Sequence, residues 1–243
     1  TDLDALLALA KRRALRVIED AALTFGSRWG GRFGGSFGDV TTFSFHPNKN
    51  LTTIEGGAIV VNTEAEAKRI DVLRFHGIER LPDGTRDVAF PGGKFNLPDV
   101  NARIGVGQLD RLDEMLERRR ALAERYFARW PHDTHCVLPP RPAKGDGATW
   151  NMFCVLLPLD RMTIDRAGFR DAMQREGIGT GISYEALHLT TLGRRHGGRE
   201  GQFPNAERIA RETVTLPLFP DMPEAEVDRV CETVARILAA HRR

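Results

Sequence analysis

Cysteine is scarce and poorly placed for cross-linking. The 243 residues hold three (Cys136, Cys154, Cys231), an odd number, widely spaced and without a Cys-x-x-Cys pair. That usage argues against a disulfide framework or a zinc site and for reduced thiols in a cytoplasmic protein. Cys154 and Cys231 lie in apolar patterns and read as small core residues. The histidines show no metal-ligand spacing, so no metal is expected. No apolar run is long enough to span a bilayer and no signal-peptide pattern stands out, so no membrane insertion is expected. An excess of one charge is missing too. The 35 basic and 33 acidic residues leave a net charge of +2, which makes no electrostatic case for nucleic acid. The run Arg118-Arg119-Arg120 reads as the solvated face of a charged helix. Internal repeats and low-complexity tracts are absent.

What is present is an alternation of helical and strand patterns, in a chain long enough for a substantial core and one or two domains. Residues 2–13 carry leucines at helical spacing, and Leu15 to Asp20 reads as a strand ending in two carboxylates. Residues 26–38 read as a glycine-rich loop anchored by Trp29, Phe33 and Phe37, and 39–44 as the next strand. A strand over 58–61 follows. Thr63-Glu64-Ala65-Glu66 is a capping box opening a helix that runs to about His76 and stops at Gly77. Residues 81–93 read as a long, turn-rich loop.

From Val100 one long helical pattern runs to about Trp130, and 134–147, with three prolines and two glycines, reads as a linker. A second alternating region follows: a strand over 150–157, a helix over 163–176 closed by Gly177, and a short strand near 180–184. Beyond a basic loop at 194–201 come an apolar stretch at 214–219 and a last helix with Pro223 near its start. The expected architecture is α/β, with residues 1–130 as one domain including a connecting helix and 131–243 as a smaller α+β domain.

The chemistry gathers around Phe43-Ser44-Phe45-His46-Pro47-Asn48-Lys49-Asn50 and Glu55-Gly56-Gly57. The layout puts Lys49 on a loop between two strands. On spacing alone a lysine there is an ordinary surface charge, but its neighbours suggest more. Ser44 ends a strand where its hydroxyl can donate to a phosphate, and the glycines permit close backbone approach to a ligand. Asp20 ends another strand, at the edge where open α/β sheets hold ligands. Lysine, carboxylate and hydroxyl together are the set that pyridoxal phosphate requires: a Schiff-base amine, a partner for the pyridine nitrogen and a phosphate anchor.

These segments resemble a known family. Val17-Ile18-Glu19-Asp20-Ala21-Ala22, Gly35-Ser36-Phe37-Gly38-Asp39, Phe43-Ser44-Phe45 through Lys49-Asn50, and Gly56-Gly57 are similar to the sugar aminotransferases of the DegT/DnrJ/EryC1/StrS family. So are Lys94-Phe95-Asn96-Leu97-Pro98-Asp99, Gly177-Ile178-Gly179-Thr180-Gly181 and Leu216-Pro217-Leu218-Phe219-Pro220, so the resemblance covers essentially the whole chain. Its wording is nearest to the branch that makes UDP-4-amino-4-deoxy-L-arabinose.

The resemblance implies a fold-type I pyridoxal-phosphate enzyme. Residues 1–130 would be the C-terminal part of its large domain, with a mostly parallel sheet, and 131–243 its small domain. It implies transamination of a nucleotide-linked keto sugar with glutamate as donor. Lys49 would hold the cofactor as an imine and move the proton, Asp20 would face the pyridine nitrogen, and Ser44 would bind the phosphate. Asn96, otherwise an ordinary turn residue, would reach the phosphate of a second subunit, implying a homodimer with shared active sites. Tyr184 and His188 would line the sugar-nucleotide pocket, with an ordinary structural role for His188 equally open. Glu19, one position from Asp20, is expected on the opposite strand face in a structural role.

Three departures from the family pattern stand out: Leu23 where a polar side chain is frequent, Ser183 where histidine is common, and Asn151 where histidine is usual. The chain also starts at Thr1 inside a helix leading straight into a strand, so a fragment, or a gene lacking its front part, is expected. The resembled enzymes carry further cofactor contacts in that front part, so these 243 residues alone are expected to hold the cofactor weakly or not at all. A family dehydratase would carry histidine in place of Lys49. A non-catalytic partner and a generic α/β binding domain are the remaining alternatives.

Overall fold

The computed structural model describes residues 2–143 and 146–243. Contacts divide the chain into two compact units. The first runs to Leu116 and takes in Pro142–Asn151, and the second comprises Glu117–Arg141 and Met152–Arg243. Lys144 and Gly145, within the stretch expected to be a linker, lie outside the described residues.

The first unit opens with α1 (Leu3–Arg12), capped by Asp2, whose Oδ1 accepts from Ala5 N at 3.0 Å. Its sheet has the order β1 (Ile18–Asp20), β4 (Val40–Ser44), β5 (Gly57–Val61). β1 and β4 run parallel with Ile18 opposite Val40 and Asp20 opposite Thr42, whereas β4 and β5 are antiparallel. The strand expected over 15–20 is thus shorter, because Leu15 closes onto α1 through its N–H to Ala10 O (2.9 Å).

The expected loop at 26–38 contains a small hairpin, β2 (Arg28–Trp29) with β3 (Arg32–Phe33), turned by Gly30 and Gly31 at positive φ. Phe43 packs edge-on against Phe25 (5.3 Å), and Gly35 is forced by that ring: a Cβ there would stand 2.2 Å from it.

α2 (Glu64–Arg74) starts at Thr63, whose Oγ1 accepts from Glu66 N (3.2 Å). It ends two residues short of His76, and Gly77, at φ +71°, donates back to Val72 O. The expected loop at 81–93 contributes β7 (Arg86–Val88), which pairs with β6 (Ile78–Arg80) across a Pro82–Thr85 turn held by Asp83. The single helix expected over 100–130 is two, α3 (Asp99–Leu109) and α4 (Leu112–Arg129), broken at Asp110 and Arg111.

The second unit holds the large apolar core. β8 (Phe153–Leu156) pairs antiparallel with β9 (Thr213–Leu216). The unit also holds α5 (Arg166–Arg175), α6 (Thr191–Arg195), α7 (Pro204–Glu212) and α8 (Glu224–Ala240); α5 packs on β9 and α8, α7 on β8, and α6 on the turn at 187–189. Tyr126 and Phe153 are fully buried and stack at 4.6 Å, and the phenol donates to Pro217 O (2.8 Å). Val227, Val230, Val234, Ile237 and Leu238 form the buried stripe of α8, as its periodicity predicts. Residues 180–184 form no strand; Gly181 alone bridges to Thr215. The three cysteines are free, and burial pushes the Cys136 thiol up to about 11 and the Cys231 thiol up to about 12. Among the described residues no helix is long and apolar enough to cross a membrane, and no cluster of metal-ligating side chains occurs.

Candidate active site

β1 and β4 run side by side in the same direction, so their carboxyl ends lie at one edge of the sheet. Alternation puts Asp20, Thr42 and Ser44 on one face and Glu19, Thr41 and Phe43 on the other. The two neighbouring carboxylates therefore have different surroundings. Glu19 accepts from three backbone N–H groups, Gly35 (2.6 Å), Phe37 (2.9 Å) and Gly38 (3.2 Å), and so fastens the loop that follows β1. Asp20 is exposed and accepts one hydrogen bond, from Ala22 N at 3.1 Å, among the described residues. An ionised carboxylate has about four acceptor sites, so Asp20 keeps capacity for a ligand.

The turn after β4 is fixed at both ends. Phe45 N donates to Gly56 O (2.9 Å), and Phe45 O accepts from Thr53 N and Thr52 Oγ1, each at 3.0 Å. Asn101 of α3 donates through Nδ2 to Thr53 O (2.7 Å) and Glu55 O (3.2 Å). Within this frame Lys49 N donates to His46 O (2.9 Å). Asn50 and Leu51 are buried, Asn48 is exposed, and Lys49 between them is half-buried. Among the described residues no carboxylate pairs with the Lys49 ammonium. Ser44 Oγ accepts only a long bond from His46 N (3.4 Å), which leaves its hydroxyl hydrogen available.

Asn96 lies in an extended, exposed segment ahead of α3 and makes no hydrogen bond within the described chain. Its neighbours Phe95 and Val100 are 75% and 73% exposed.

Tyr184 and His188 belong to the second unit. Tyr184 is exposed and, with Leu187, Phe203 and Ile209, lines a shallow apolar hollow. His188 is nearly buried: its Nε2 stands 2.9 Å from Glu207 Oε1, and its ring meets Phe203 edge-on at 4.9 Å. Glu207 also accepts from Gly201 N (3.0 Å) and Phe203 N (3.2 Å). Those bonds, Gly201 first and then His188, hold its carboxyl below the usual carboxylate range. His188 is therefore engaged in fastening the 201–203 turn. Ser183, one of the departures, bonds Thr215 Oγ1 at 2.8 Å, and the exposed Leu23 offers only its carbonyl, to Thr149 Oγ1.

Three features at these sites went unseen in the sequence: Glu207 as the partner of His188, the Asn101 tie to the lysine turn, and the contact of Asn50 with Thr149. Pro204 at the start of α7 with an acid in its first turn was the only local hint of the first.

The donor set fits pyridoxal phosphate in kind. An amine without an ion pair, a carboxylate with spare acceptor sites and a free hydroxyl are disposed at and just beyond the carboxyl ends of two adjacent parallel strands.

Comparison with known proteins agrees. An uncharacterized protein of Methanocaldococcus jannaschii is 33% identical over 99% of this chain and 64% of its own length. The aminotransferase TlmJ of Streptoalloteichus hindustanus superposes with a TM-score of 0.87 at 32% identity, over 98% of this chain and 63% of that one. A Streptococcus pneumoniae protein named as a sugar aminotransferase, in its PLP form, gives 0.89 at 25% identity, over 99% and 66%. The chain thus spans a little under two thirds of the length of these relatives. The sequence profile of the DegT/DnrJ/EryC1/StrS aminotransferase family matches residues 1–235, and the chain belongs to that family.

Proposed function

We propose that this protein is the part of a cytoplasmic, pyridoxal-phosphate-dependent aminotransferase that carries the cofactor lysine, and that it aminates a nucleotide-linked keto sugar with glutamate as donor. The observation that carries this reading is the common strand edge of Asp20 and Ser44, followed by a rigidly held turn bearing an unpaired lysine.

When bound, pyridoxal phosphate supplies an electron sink for the pair left as a proton leaves the amine-bearing carbon. Lys49 Nζ would hold the cofactor covalently and, when free, would serve as the base and acid for that proton. Asp20 would accept a hydrogen bond from the pyridine nitrogen and so favour its charged form. Ser44 Oγ would donate to the phosphate. Asn96 would donate to the phosphate of a second copy, and the exposed Phe95 and Val100 beside it would supply apolar surface for a homodimer. Tyr184, whose ring is exposed, and His188, held by Glu207, would line the sugar-nucleotide pocket.

The test is release of 2-oxoglutarate from glutamate by the full-length protein with a panel of nucleotide-linked 3-keto and 4-keto sugars. Turnover with at least one of them is expected, with none in Lys49→Ala. Turnover that survives Lys49→Ala would remove the lysine from its role.

A further inference from the structure

Asn50, next to the lysine, is 6% exposed. Its Nδ2 donates to Thr149 O at 3.3 Å, a partner 99 residues away, while its Oδ1 is buried without a hydrogen-bond partner. Buried amide oxygens are nearly always satisfied, and a leucine would fill such a place without leaving one stranded. The bond that this amide makes is the one its nitrogen donates.

That target lies on residues 146–149, which return to the first unit and run beside the segment leaving Asp20. Arg28 N donates to Gly147 O (2.9 Å), Gly147 N donates back to Arg28 O (3.0 Å), and Asp146 Oδ1 accepts from Gly30 N (2.7 Å). Thr149, itself 4% exposed, brings its Oγ1 to Leu23 O at 3.5 Å. One short stretch of chain thus touches the Asp20 branch at three points, through backbone at Gly147 and side chains at Asp146 and Thr149, and the Lys49 branch at one.

We propose that residues 146–149 are a strap that fixes the lysine turn relative to the segment leaving Asp20, and that Asn50 is the positioning residue that fastens it. Acting through the backbone of Lys49, Asn50 sets where the amine stands without touching cofactor or substrate. The strap gives the proposed aminotransferase site its rigidity in the absence of any ligand. Its significance for catalysis rests on the function proposed above, but its existence does not.

Amide hydrogen exchange on the whole chain without cofactor tests it. Asn50→Ala is expected to speed exchange about tenfold at Lys49 and Thr53, and also at Arg28 and Gly147, which are remote in sequence. Asp146→Ala loosens the strap from its other end and is expected to speed exchange at Lys49 and Thr53 as well. Asn50→Leu keeps the volume but not the donor and should behave like Asn50→Ala with a nearly unchanged thermal midpoint. Faster exchange confined to 45–56 in the Asn50 variants, with no response there to Asp146→Ala, would overturn the strap.

The cofactor readout is separate. With millimolar pyridoxal phosphate and borohydride, Asn50→Ala is expected to label Lys49 several-fold more slowly than the parent chain. An equal rate would overturn the positioning role. Absence of labelling in the full-length protein would overturn the proposed function, and the exchange result would still decide the strap.

Discussion

Each of the two units is stabilised internally by different means. The second is built on apolar burial: among the described residues, the largest fully buried side chains, from Leu122 and Tyr126 to Val230, lie within it. The first has a thin core. Ile18 and Ile59, on the face shared by Asp20 and Ser44, are 72% and 52% exposed, and much of its order comes from polar anchors such as Glu19, Asn50, Thr52 and Asn101. Hydrophobic burial is non-directional, whereas hydrogen bonds fix a geometry. The region proposed to hold an amine, a carboxylate and a hydroxyl in register is the one held by directional bonds.

The largest effect that would sharpen this contrast is on activity alone. Lys49→Ala should lower turnover by at least about three orders of magnitude and leave the thermal midpoint nearly unchanged. A large stability loss would make Lys49 structural and break the contrast. Next comes Phe153→Ala, which removes a ring stacked on Tyr126 in the second unit. It is expected to cost about 3–5 kcal/mol in denaturant unfolding, against about 0.5 kcal/mol or less for Ile59→Ala in the first. Similar losses would show that burial governs both units alike.

How much of this was legible beforehand varies with the range of the interaction. β4, β5, α8 and the Thr63 cap follow from local patterns of two to four residues, and the sequence showed them. The placing of Glu19 and Asp20 on opposite faces was legible as well, since it needs only strand alternation. The break between α3 and α4 was not legible, because neither Asp110 nor Arg111 carries a proline or glycine signal and the apolar spacing continues across it. The two small hairpins were read as loops because glycine and proline mark turns without saying whether the flanks pair. In the candidate site, the lysine, aspartate and serine were visible as motif residues. The Asn50–Thr149 bond and the His188–Glu207 pair were not, since partners 99 and 19 residues apart leave no local pattern.

Two smaller effects complete the comparison. Asp228, bonded to Arg125 at 2.6 Å, has its carboxyl held below the ordinary range by that guanidinium. A depressed folded-state pKa contributes stability above the unfolded value and loses it as pH falls through the folded one. The second unit should therefore weaken as the medium is acidified below the ordinary carboxylate range, and Asp228→Asn should flatten that part of the acid limb. An unchanged acid limb would mean the pair contributes nothing in solution. Smallest, Thr63→Ala removes the α2 cap and should cost about 1 kcal/mol, read as a shift in denaturant midpoint with an unchanged slope.

The most direct test of the central claim is a map of covalent cofactor attachment. The chain has only five lysines, Lys11, Lys49, Lys68, Lys94 and Lys144. After incubation with pyridoxal phosphate, borohydride reduction and peptide mass spectrometry, the reduced adduct is expected on Lys49 and lost on Asp20→Ala substitution. An adduct spread evenly over the five, or unaffected by that substitution, would contradict the account.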